Sequence, residues 1–142
     1  MTGEPPRFSI RLSRDMDGLR QLGAWVDTLS DALALSVPAG FALRLCLEEA
    51  VANLVLHGIP ATIDTTDIVA IAVVPRDDRL CLIVEDRCEP YDPRMAAEPP
   101  PLTDVKTARV GGLGIQLLRR YARTIRYETD GSANRLILVT ER

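Results

Sequence analysis

EAVANLVLHG, Glu49 to Gly58, is the stretch on which the fold of this chain turns. It closes the longer run VPAGFALRLCLEEAVANLVLHG, with Pro38 near one end and Gly58 at the other, the asymmetry expected of a helix from about Pro38 to His57. At 100° per residue, Leu43, Leu47, Ala50, Val51 and Leu54 share one apolar face. Glu49, Asn53 and His57, spaced i, i+4 and i+8, fall together elsewhere. Ala42, Cys46, Ala52 and Leu56 flank this trio, and a polar stripe bordered by small and apolar residues suits a pocket wall. Glu48, on another side, is expected to be a simple solvent-facing charge. A carboxylate in such a wall can orient or deprotonate a hydroxyl, and an amide oxygen one turn on can hold a hard cation such as Mg²⁺. The same spacing also fits exposed Glu49 and Asn53, with His57 answering the dipole at the helix end.

The rest of the composition narrows what such a helix can serve. A chain of 142 residues is expected to be one domain, spanning 1–142 with its core over about 8–140. Apolar residues at 46% and charged residues at 26% are globular values, whereas aromatics at 4% make the core aliphatic. A net charge of −3 gives no footprint for direct nucleic-acid binding. Cys46, Cys81 and Cys88 lack C-x-x-C spacing, and Met1 leads into a polar segment, so a cytoplasmic protein with reduced thiols is expected. No apolar run reaches the ~20 residues of a membrane span. The single histidine, His57, excludes zinc sites built on several histidines.

Around the long helix, FSIRLS (Phe8 to Ser13) alternates as a strand, and Met16 to Leu35 carries helical spacing. DIVAIAVVPRDDRLCLIVED reads as a hairpin around PRDD, and Pro90 to Thr107 as a loop. GGLGIQLLRRYART reads as a glycine-started helix and TIRYETDGSANRLILVTE as a closing hairpin. Hairpins with helices between them predict an α+β fold: a two-layer sandwich of a mixed, mostly antiparallel sheet with helices on one face.

Two further segments carry chemistry. Gly111, Gly112 and Gly114 precede an amphipathic helix, where flexible backbone and unpaired N–H groups can approach phosphate; an ordinary turn fits the same residues. Arg119, Arg120, Arg123 and Arg126 are read as the solvated face and end charges of that helix. VEDRCEPYDP, Val84 to Pro93, ends an apolar strand on Asp86.

The order EAVANLVLHG, VEDRCEPYDP, RVGGLGIQLLRRY, GSANRLILV resembles the GHKL ATPase (Bergerat) fold, and within it the small anti-sigma-factor serine kinases of the RsbW and SpoIIAB type. The resemblance covers residues 8 to 140. It implies binding of ATP or ADP with Mg²⁺, Glu49 as catalytic base and Asn53 as magnesium ligand. It also implies Asp86 as acceptor for the adenine amino group, Gly112 and Gly114 at the phosphate end of the lid, and His57 in the site wall. Gly111 and Leu113 belong to the same nucleotide-binding turn, and Pro90, Tyr91, Asp92 and Pro93 resemble the P-F-D-P that follows the adenine aspartate. The implied partners are a STAS-type antagonist phosphorylated on serine and a sigma factor held in a partner switch. A homodimer through the sheet is also implied, with which the two apolar faces of RLILV are compatible. Cys88 departs from the family's glycine, so a GHKL-fold protein-binding regulator without kinase activity is a second expectation. A histidine-kinase catalytic fragment ranks below both, since no dimerisation helix precedes the domain.

Overall fold

Two side-chain caps set where the first helices begin. Asp15 accepts a hydrogen bond from the Gly18 N–H at 2.9 Å and starts α1 (Met16–Ala32). Ser36 accepts from the Ala39 N–H at 3.2 Å and starts α2 (Val37–His57), with proline in the first turn. A Ser36→Ala protein is therefore expected to lose about 1 kcal/mol of stability, measured as a lower urea midpoint with an unchanged slope. Between these helices the Leu35 N–H bonds to the Ser30 carbonyl and the Ala34 N–H to that of Asp31, with Ala34 at φ 50° closing α1.

The computed structural model describes residues 3–4, 6–59, 67–95 and 114–142. Besides the two helices these form β1 (Phe8–Ser13), β2 (Ile68–Arg76), β3 (Arg79–Asp86), a 3-10 turn at Pro93–Met95, α3 (Gly114–Tyr121), β4 (Thr124–Thr129) and β5 (Asn134–Glu141). The sheet order is β1-β2-β3-β5-β4. All four pairings are antiparallel, so the mixed sheet expected from the sequence narrows to a wholly antiparallel one among the described residues. The cause is the closing hairpin, which inserts β5 between β3 and β4 and so opposes both.

Alternation decides what each strand buries. Leu12, Val69, Ile71, Val73, Leu80, Leu82, Val84, Leu136 and Leu138 join Leu22, Val26, Leu29, Leu43, Leu47, Val51, Ile115 and Leu118 in one core. The α+β sandwich is thus built with its helices on one face of the sheet. Helix α2 lies at the centre, burying Ala39, Ala42, Leu43, Cys46, Leu47, Ala50 and Val51 against the sheet, α1 and α3. Its apolarity nearly all round follows from those three neighbours. Among the described residues no helix is long and apolar enough to cross a membrane.

Candidate functional site

The C-terminal end of β3 is fixed by a polar row across the sheet. Asp86 pairs in register with Asn134, and Asn134 with Thr129 on the next strand. Asp86 is 8% exposed, and its Oδ1 accepts from the Cys88 N–H at 2.9 Å and from the Asn134 amide at 3.0 Å. Asn134 also donates to the Cys88 carbonyl at 2.8 Å. Both of these N–H bonds fall on Oδ1, and the Cys88 thiol also hydrogen-bonds the carboxylate; Oδ2, which carries neither N–H bond, remains an acceptor for a ligand. In front of it lies a cavity of about 460 Å³ between sheet and helices, with Val84, Leu136, Ala50 and Ile115 in its walls. A mostly apolar cleft with one committed carboxylate suits a flat aromatic ring bearing an amino group.

Cys88 stands beside that carboxylate. The residue is 5% exposed, and its thiol lies near the end of α2, where a Cβ built on Gly58 would lie 2.9 Å from Sγ and 2.4 Å from the Leu54 carbonyl. Gly58, at φ −64°, is therefore required for room rather than for backbone freedom. The Arg14 guanidinium closes the same corner, donating to the carbonyls of Leu54 at 2.7 Å and Gly58 at 3.0 Å and pairing with Asp67 at 2.7 Å. Burial, reinforced by the negative charge of Asp86, pushes the Cys88 thiol up to about 11, so it stays neutral. Among described non-glycine residues only Ala34 has positive φ, so the cysteine adopts ordinary backbone at the position where the family's pattern has glycine. Cys88 lines the cavity, but with only 5% of the residue exposed it presents little surface there, and Cys88→Gly is expected to change affinity for the implied ATP by less than about threefold, as calorimetric titration would measure.

The trio on α2 does not form one continuous wall. Asn53 and His57 line the cavity, whereas Glu49 borders a shallower groove of about 340 Å³ beside Met16, Leu19 and Arg20. The reason is helical drift: each four-residue step overshoots a turn by about 40°, so residues eight apart face directions about 80° apart. Glu49 and Asn53 nonetheless meet at the start of α3. A Cβ on Gly114 would lie 3.0 Å from Glu49 Oε2 and 3.4 Å from both polar atoms of the Asn53 amide. The glycine lets the helix N-terminus close onto these two groups. Burial, with Glu48 as neighbour, raises the Glu49 carboxyl above the usual carboxylate range. Glu48 itself is ion-paired rather than simply solvated, accepting from Arg44 at 2.9 Å.

Tyr91 lies at the cavity rim, its N–H donating to the Tyr127 hydroxyl at 2.9 Å. Burial raises the Tyr127 phenol, which keeps it neutral and able to accept that bond. Asp92 is held below the usual carboxylate range by Arg94. Gly111, Gly112 and Leu113 lie outside the described residues. Asn134, Tyr127 and Arg14 are the contributors that sequence reading missed. The signal for Tyr127 was strand alternation with Ile125; Asn134 carried none, because its place opposite Asp86 is set by strand pairing.

The sequence matches the histidine kinase-like ATPase domain over residues 12–140. The chain belongs to that family. Among its relatives is the serine/threonine-protein kinase BtrW of Bordetella bronchiseptica, 29% identical over 120 residues that cover 82% of this chain and 80% of BtrW. For a histidine kinase-like ATPase domain the geometry is coherent: an aromatic-sized cleft ends on Asp86, and a helix N-terminus closes on Glu49 and Asn53 at the other side.

Proposed function

We propose that the chain is an ATP-dependent protein-serine kinase of the anti-sigma-factor type. It phosphorylates a STAS-domain antagonist and, in the same partner switch, sequesters a sigma factor. The observation that carries this reading is the convergence of Glu49 and Asn53 on Gly114 beside a cavity that ends on Asp86. Adenine would enter with its amino group toward Asp86 Oδ2, and the phosphates would run toward the start of α3. That places the terminal phosphate near Glu49, which would take the proton of an incoming serine hydroxyl.

The donor set suits a phosphate-borne magnesium ion. Asn53, which lines the cavity, would offer one neutral oxygen to the ion, with phosphate oxygens and water completing its shell. When bound, the ion would neutralise charge on the transferring phosphoryl group. The name of BtrW supports serine or threonine as acceptor. The reading of a nucleotide-impaired regulator rests on a side chain at the glycine position; the ordinary backbone and low exposure of Cys88 favour the kinase reading over it. A second copy is proposed to cover the outer sheet face, where Ile83 and Ile137, paired in register, are partly exposed.

Incubation with Mg-ATP labelled at the γ-phosphate and the STAS-domain antagonist from the same genome should move label onto an antagonist serine. Retention of all label on ATP, with the antagonist bound, would refute the kinase assignment.

A further inference from the structure

Asn134 belongs to no nucleotide-contacting set described above, yet every hydrogen-bonding group of its side chain is committed. Its amide nitrogen faces Asp86 Oδ1 at 3.0 Å and the Cys88 carbonyl at 2.8 Å, two atoms that only accept. That fixes the orientation of the amide, with its oxygen turned the other way, where the Thr129 hydroxyl donates to it at 2.7 Å. Having donated there, the Thr129 oxygen accepts the Gly131 N–H at 3.1 Å, where the closing hairpin turns at φ +90°. The turn is itself pinned by Asp130, whose Oδ1 accepts from the N–H groups of Ser132 and Ala133, each at 2.8 Å. A continuous relay thus runs from the β4–β5 turn through Thr129 and Asn134 to the ligand-facing carboxylate. Asn134 is 2% exposed, so water does not replace these bonds.

We infer that Asn134 is a positioning and specificity-determining residue, which holds Asp86 with only Oδ2 presented to the base. The inference rests on the nucleotide reading above. With both amide hydrogens spent, the Cys88 carbonyl engaged and the Cys88 thiol itself hydrogen-bonded to the Asp86 carboxylate, Asn134 and Cys88 offer the base no free donor beside Asp86. The edge they frame is acceptor-only. Such an edge selects a base with an exocyclic amino group over one that presents a carbonyl, because a carbonyl facing a carboxylate is left unpaired and repelled. Truncation of Asn134 frees Asp86 to rotate and leaves the Cys88 carbonyl without its donor. Selectivity for the amino group then fails even though Asp86 is intact.

The experiment compares ATP with purine riboside triphosphate, which lacks the 6-amino group, by calorimetric titration and competition on the full chain. Wild type is expected to prefer ATP. In Asn134→Ala, ATP affinity should fall about tenfold while the affinity for the analogue changes less than about twofold, so the preference collapses. Thr129→Val, which removes only the outer link, should produce a smaller collapse of the same kind and serves if the first variant fails to fold. Equal losses for both nucleotides would mean a merely structural role and overturn the inference, as would an unchanged preference in a folded variant. A wild type that binds ATP without preferring it over the analogue overturns the inference alone. A wild type that binds neither nucleotide overturns the nucleotide reading and this one with it.

Discussion

Asp86→Asn is expected to weaken ATP binding at least about 100-fold, or ~3 kcal/mol, measured by calorimetric titration on folded protein. The effect lies at the upper end of the loss of one charge-assisted hydrogen bond, about 1.5–3 kcal/mol, because of what the neighbours enforce. The Cys88 N–H and the Asn134 amide both donate to position 86, at 2.9 and 3.0 Å, so a carboxamide there must turn its oxygen toward them. Its NH₂ group then faces the cavity, and the adenine amino group meets a donor where it needs an acceptor. The same orientation makes a second outcome specific: inosine triphosphate, whose 6-oxygen accepts, should lose much less and can overtake ATP in the variant. Equal weakening of both nucleotides would show that Asp86 supports the pocket without reading the base.

The helices and hairpins were legible because their signals are local. Pro38 and Gly58 bracket the long helix, and the strands of the two hairpins alternate around PRDD and DGSAN; the resulting β1, β2–β3 and β4–β5 lie where that pattern puts them. The family's ordered boxes implied a common site for Asp86, Asn53 and His57, and all three line one cavity. What stayed hidden depends on register and drift. No spacing rule connects Asn134 to Asp86 across 48 positions, because their meeting is set by which strands pair. Glu49 looked like part of a continuous wall because i, i+4, i+8 reads as a straight line on paper, whereas 3.6 residues per turn carries it toward the α1 side. Arg14 gave no signal either, since its partners are backbone carbonyls at the far end of another helix. The Cys88 departure was visible in sequence, but its consequence was not. That consequence depends on tertiary packing: the thiol lies against Gly58, where a Cβ would come within 2.9 Å of Sγ, and both residues line the cavity.

Glu49→Gln is expected to cut phosphotransfer to the antagonist by about 10²–10⁴-fold while ATP affinity stays within about twofold, the signature of losing a base rather than a binding group. Glutamine keeps the volume of the side chain beside Gly114 and removes only its ability to take a proton. The pH dependence of the wild type supplies an independent check. A base works in its ionised form, and burial with the neighbouring Glu48 raises the Glu49 carboxyl. Activity should therefore be full at high pH and fall as pH drops through a value above the ordinary ~4.3 of glutamate. Stability runs the other way. A carboxyl raised in the folded state binds its proton more tightly there than in the unfolded chain, so ionising it above the unfolded value costs stability. The neutral glutamine avoids that cost, and the variant should melt at or above the wild-type temperature near pH 7. A kinase-dead protein that is no less stable and still binds ATP would isolate Glu49 as the proton acceptor; a variant that retains full phosphotransfer would assign the base elsewhere.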